Sequence, residues 1–144
     1  MKHLLVSLLF VLTFGSYAQA QHDMPEPAVI AQADSLPFTN LTVDQMASMI
    51  GGKHVIVLDV RTPAETAHGT IEGAVIINAL EPGFGDRLEA LNKDKTYLVY
   101  CRSGRRSANA CTLMAEKGFK HLYNLQDGIV AWREAGKRVV VSEN

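Results

Sequence analysis

The sequence predicts an α/β domain with a mainly parallel central sheet flanked by helices. Three observations carry that prediction. Residues 54–60 (HVIVLDV) and 74–77 (AVII) are short runs rich in β-branched residues, suited to strands buried on both faces. Other segments place apolar residues at helical spacing and stop at glycine. The two kinds alternate along the chain, the order that builds a parallel sheet with helical crossovers. The chain has 144 residues, enough for one ordinary domain, and its 47% hydrophobic content supports a packed core and excludes global disorder.

The elements follow in order. Lys2 and His3 make a positive start, residues 4–14 are almost wholly apolar, and Ala18-Gln19-Ala20 supplies small residues at a cleavage-like position. Residues 1–20 are therefore expected to be a secretory signal peptide, too short for a spanning helix, leaving no membrane span after cleavage. The small-residue site weighs against the alternative, an uncleaved anchor. Residues 21–37, with Pro25, Pro27 and Pro37 and little periodicity, are expected to be an N-terminal tether. The domain itself is expected over 38–144.

Thr42 and Gln45 have the spacing of a capping box, and Val43, Met46, Ala47 and Ile50 recur at helical spacing until Gly51-Gly52. The strand at 54–60 comes next, then the one at 74–77. Leu88 and Leu91 belong to a short helix ahead of Lys93-Asp94-Lys95, and 96–100 (TYLVY) is a strand. Residues 107–116 read as a helix ended by Gly118, 119–125 as containing one more strand, and 129–135 as a last helix ended by Gly136.

The formal net charge is −1, which points to neither nucleic acid nor a membrane surface. The chemistry concentrates at 97–111, YLVYCRSGRRSANAC. Cys101 stands at the carboxyl end of a strand, where α/β sheets gather ligands. Ser103-Gly104 help turn the chain into the next helix. Backbone N–H groups of such a turn, together with the helix N-terminus, favour an anion. Arg102, Arg105 and Arg106 add full positive charges. Each of these favours thiolate over thiol, so Cys101 is expected to have a lowered pKa and to act as a nucleophile on anionic substrates or through anionic adducts. A structural cysteine gains nothing from three neighbouring cations.

CRSGRRS, residues 101–107, resembles the active-site loop of the rhodanese-family sulfurtransferases, whose single-domain members often read C-x-x-G-x-R-S. VLDVRTPAE at 57–65, GTIEGA at 69–74, Gly118-Phe119 and LQDGIVAW at 125–132 are similar to further family segments in the same order. The resemblance spans about 38–140. Thr70 stands where the family commonly has His, and Asp127 where Gly is common before Gly128; neither lies in the loop. A signal peptide followed by one such domain resembles the exported, phage-shock-type rhodaneses of the bacterial periplasm, which implies a periplasmic location.

The resemblance implies a rhodanese-like fold and transfer of a sulfane sulfur in two steps. Cys101 takes sulfur from a donor such as thiosulfate as a persulfide, then yields it to a thiophilic acceptor, cyanide or a thiol. Arg102, Ser103, Gly104, Arg105 and Arg106 would bind the substrate, with Arg106, the loop's closing arginine, mattering most. Asp59 and Arg61, also at a strand's carboxyl end, are expected to support the site, with Asp59 accepting hydrogen bonds from the loop and Arg61 pairing with Glu65. No Cys/His cluster has metal spacing, so neither metal nor cofactor is expected. His68 and His121 read as surface residues and Trp132 as core.

Two alternatives stand beside this. A persulfide carrier with a protein acceptor would load in the same way yet turn over poorly with small acceptors. Cysteine phosphatases use a C-x5-R loop; here Arg106 gives C-x4-R and the sixth position is Ser107, so the spacing disfavours that reading. Cys111 lies about seven residues into the following helix, roughly 10 Å along its axis, too far for a disulfide with Cys101. It is expected to be a reduced packing residue on the side of Ser107, Ala108 and Met114.

Overall fold

The computed structural model describes residues 35–141. The expected signal peptide and all but the last residues of the expected tether lie outside them. The sheet contains β1 (Thr39–Leu41), β2 (Val55–Asp59), β3 (Val75–Ile76), β4 (Thr96–Tyr100) and β5 (His121–Leu125), in the order β1-β5-β4-β2-β3 with every pairing parallel. The helices are α1 (Val43–Met49), α2 (Pro63–Thr66), α3 (Phe84–Glu89), α4 (Arg105–Glu116) and α5 (Gly128–Glu134). None of the described helices is long and apolar enough to cross a membrane.

Alternate residues of the central strands feed two cores. Leu58, Val60, Tyr97, Val99 and Cys101 face one, with Phe84 and Leu88 of α3 and Ala110, Cys111 and Met114 of α4. Val57, Leu98 and Tyr100 face the other, with Met46 of α1 and Ile129 and Trp132 of α5. Burial on both faces is why β2 and β4 are apolar without alternation.

The capping box forms as expected. The Gln45 N–H donates to the Thr42 hydroxyl at 3.3 Å, and the Thr42 N–H donates to the Gln45 side chain at 2.9 Å. A second box, Thr62 with Glu65, opens α2 behind Pro63. This helix and β1 were not anticipated, because each is too short to show a period. The strand at 74–77 needs correction: only Val75–Ile76 pair, and they are 42% and 41% exposed, since β3 is an edge strand rather than a doubly covered one. The helices begin earlier than their apolar positions suggest: α3 at Phe84, α4 at Arg105 and α5 at Gly128, behind left-handed Gly83, left-handed Gly104 and Asp127 respectively.

The strand order positions the site. After β2 the chain moves to β3 on one side, and after β4 to β5 on the other. The crevice between the carboxyl ends of β2 and β4 is thus a topological switch point, where open α/β sheets bind ligands. Asp59 pairs with Tyr100 in register, and the Val60 N–H donates to the Tyr100 carbonyl at 3.0 Å. Val60 and Cys101 therefore leave the sheet side by side, with Arg61 one residue further on.

Candidate active site

Cys101 follows the last residue of β4 and lies beside the N-terminus of α4, with 1% of its surface exposed. Burial alone pushes its thiol pKa up. The Ser107 hydroxyl, 3.4 Å from the sulfur, and the backbone N–H groups of Ser107, Ser103 and Gly104 outweigh that and hold it below the ordinary value. Four donors converging on one sulfur form the anion cup that the sequence suggested. The loop arginines contribute less than expected: Arg102 and Arg105 are exposed, and only Arg106 is partly buried.

Gly104 makes the turn possible. Its φ is 87°, and a β-carbon there would lie 1.7 Å from the Gln126 carbonyl oxygen, so no side chain fits. Gly128 closes the loop from the other side. At φ 64°, its β-carbon would lie 2.3 Å from the Arg102 carbonyl oxygen. The close approach lets the Ile129 N–H donate to the Cys101 carbonyl at 2.9 Å and the Val130 N–H to the Arg102 carbonyl at 3.3 Å. Asp127, with φ −107°, sits in a conformation open to any residue, so the departure from glycine there costs nothing.

The expected ion pairs are exchanged. Arg61 does not pair with the Glu65 carboxylate; it forks onto Asp59, with Nε 2.9 and 3.0 Å from the two carboxylate oxygens and an Nη 2.6 Å from one. Asp59 receives these bonds from Arg61, including its backbone N–H at 3.0 Å, rather than from the loop. Arg61 also donates to the Glu65 and Gly69 carbonyls and lies 5.5 Å from the centre of the Tyr100 ring. Both members are buried, and Arg61 ties the end of β2 to the 65–69 segment.

Glu65 instead takes Arg106 in a bidentate pair at 2.6 and 2.8 Å. Arg106 draws the Glu65 carboxyl down to about 2 against the opposing effect of burial, helped by the Thr62 N–H and hydroxyl. A carboxyl lowered from 4.5 contributes stability that is present in full above about pH 4.5 and lost as pH falls toward 2. For a pair about one-quarter exposed, the contribution is on the order of 2 kcal/mol. Urea unfolding is expected to show this loss between pH 4.5 and 2 in the wild type and a flatter profile in Glu65→Gln. Parallel profiles would assign no pH-dependent role to the pair.

Ser107 is buried on the first turn of α4, where helical spacing alone marks it only as part of the core-facing side. Its hydroxyl lies 3.4 Å from the Cys101 sulfur and 3.0 Å from the Gly104 carbonyl. One proton serves one acceptor at a time, so it is available to the sulfur when Cys101 is charged. Its place closing the C-x-x-G-x-R-S pattern was the available signal. Ser107→Ala is expected to raise the Cys101 pKa and slow its alkylation by iodoacetamide at neutral pH about tenfold, the worth of one hydrogen bond to a charged group at roughly 1.5 kcal/mol. An unchanged pH–rate profile would leave the backbone donors as the whole cradle.

Cys101 and Cys111 are both free. Cys111 is buried against the Tyr123 carbonyl, 3.9 Å away, and burial pushes its thiol up to about 12, an inert packing thiol. His68 and His121 are exposed and Trp132 is core, its indole N–H donating to the Arg138 carbonyl at 2.9 Å.

The model of the rhodanese-like domain family matches residues 42–135. The chain belongs to that family. The rhodanese-like domain is 39% identical over 90 residues to a sulfurtransferase of Allochromatium vinosum, covering 62% of this chain and 81% of that one. It is 32% identical over 98 residues to a thiosulfate sulfurtransferase of Shewanella oneidensis, covering 68% and 95%. Among solved structures it resembles a rhodanese-related protein of Thermoplasma volcanium, with a TM-score of 0.65 at 30% identity over 73% of this chain and all of that one. The parallel five-stranded sheet is the rhodanese fold, and the activity class these relatives support is sulfur transfer.

Proposed function

We propose that the domain moves a sulfane sulfur from a donor such as thiosulfate to cyanide or a thiol through a persulfide on Cys101. The observation that carries this reading is the convergence of the Ser107 hydroxyl and three backbone N–H groups on the Cys101 sulfur. The thiolate attacks the outer sulfur of thiosulfate. A sulfur–sulfur bond forms to Cys101, the bond to the sulfonate sulfur breaks, and its electron pair leaves on sulfite. Cyanide or a thiolate then attacks the outer persulfide sulfur and restores the Cys101 thiolate, with no net redox change. The cradle favours the charged form of the nucleophile, which lessens the need for a general base.

Arg102, Ser103, Gly104, Arg105 and Arg106 form the proposed binding loop, with Ser103 and Gly104 acting through their N–H groups. Intact-protein mass spectrometry is expected to show a gain of roughly 32 Da, one sulfur atom, after thiosulfate, and its removal by cyanide with release of thiocyanate. Cys111→Ala should load equally. A domain that takes up no sulfur from any sulfane donor would end the proposal. One that loads but gives sulfur only to a protein acceptor would be a carrier. Residues 1–20 support export to the periplasm; a mature chain beginning near Gln21 in a periplasmic extract is expected, and a retained leader would oppose it.

A further inference from the structure

Beside the loop lies a cavity of about 280 Å³ whose wall includes Arg61, Glu65, Arg102 and Arg133. It adjoins the backbone of the reacting cysteine: Arg102 is the next residue, and Ile129, which also lines the cavity, donates its N–H to the Cys101 carbonyl. The charges in this wall are not balanced. Arg61 is matched by Asp59, and Glu65 by Arg106. Arg102 and Arg133 have no carboxylate partner among the described residues. The wall therefore carries two surplus positive charges.

Arg133 is held in place. One of its Nη atoms donates to the His68 carbonyl at 2.7 Å and lies 3.5 Å from that of Gly69, so the guanidinium is anchored by groups that leave its charge uncompensated. Ile129 and Val130 supply an apolar side to the same cavity, where a charge-assisted contact gains strength. The loop's closing arginine cannot play this part while Glu65 neutralises it.

We propose that this cavity is the subsite for the dianionic end of the sulfur donor, and that Arg133 of α5, with Arg102, determines the preference for a dianion. The inference rests on the sulfur-transfer reading above. A sulfonate presents the oxygens that a guanidinium fork matches. The same two charges then hold the departing sulfite, also a dianion.

The test separates binding from chemistry. Thiosulfate is titrated calorimetrically into Cys101→Ser protein, which binds without reacting, and into the same protein carrying Arg133→Gln or Arg133→Lys. Arg133→Gln is expected to weaken binding about tenfold, with Arg133→Lys intermediate. In the Cys101 background, Arg133→Gln should raise KM for thiosulfate about tenfold while changing kcat less than about twofold, as loss of uniform binding does. The effect on methanethiosulfonate, a monoanion that gives the same persulfide and releases methanesulfinate, should be smaller. No thiosulfate binding to Cys101→Ser, or binding and KM unaltered by Arg133→Gln, overturns the subsite and leaves the sulfur-transfer reading standing. Arg133-dependent binding by a protein that forms no persulfide does the reverse.

Discussion

Cys101→Ser protein is expected to take up no sulfur from thiosulfate and to form no thiocyanate, a loss of at least about a thousandfold. The substitution exchanges sulfur for oxygen in a site built for an anion. A serine hydroxyl stays protonated where the Cys101 thiol is shifted toward thiolate by Ser107 and the backbone N–H groups of Ser103, Gly104 and Ser107. It also cannot form a persulfide. The neighbouring thiol offers no rescue, because Cys111 is buried and its pKa is pushed up to about 12. Intact mass after thiosulfate, alongside a thiocyanate assay, reads both losses. Wild-type uptake by Cys101→Ser would place the sulfur on another residue and undo the proposed mechanism.

Asp59→Ala is expected to destabilise the domain by about 3–5 kcal/mol, the cost of leaving a buried charge without its partner. Arg61 is buried, and Asp59 receives four hydrogen bonds from it. Removing the carboxylate strands the guanidinium at the meeting point of β2, α2 and the Gly69 carbonyl. Against a total stability of about 5–15 kcal/mol, such a loss is large. Replacing both members with apolar residues, Asp59→Leu with Arg61→Met, should cost less than Asp59→Ala alone, since no unpaired charge remains. Urea midpoints of the variants measure this. A cost below about 1 kcal/mol for Asp59→Ala would mean that solvent reaches Arg61 and that the pair is not structural.

Much of this protein was legible in its sequence because the signals are local. The strand at 96–100 forms with the bounds its pattern predicts, and the one at 54–60 within a residue of them, since burial on both faces writes itself into consecutive residues. The Thr42–Gln45 capping box needs only its own four residues. Cys101 at a strand end, ahead of a glycine turn and a helix, already specified an anion cup, because strand, turn and helix N-terminus are contiguous in the chain. Family-typical segments along the chain pointed to sulfur transfer for the same reason.

The tertiary structure decided what depends on residues distant in sequence. Arg61 and Arg106 are chemically alike, as are Asp59 and Glu65, so residue type alone leaves the pairing open, and the expected Arg61–Glu65 pair does not form. Glu65 finds Arg106, 41 residues away, because the parallel register of β2 and β4 brings their carboxyl ends together, while the turn after Asp59 folds the Arg61 guanidinium back onto its own strand's carboxylate. The sequence pattern of β3 resembles that of a covered strand, and only the sheet order reveals it as an edge. Arg133 had no signal at all. Its charge matters through the company it keeps at the crevice, which exists only once the strands are in order. Patterns of burial and capping are short-range and are written along the chain; the matching of charges is settled by distance in space.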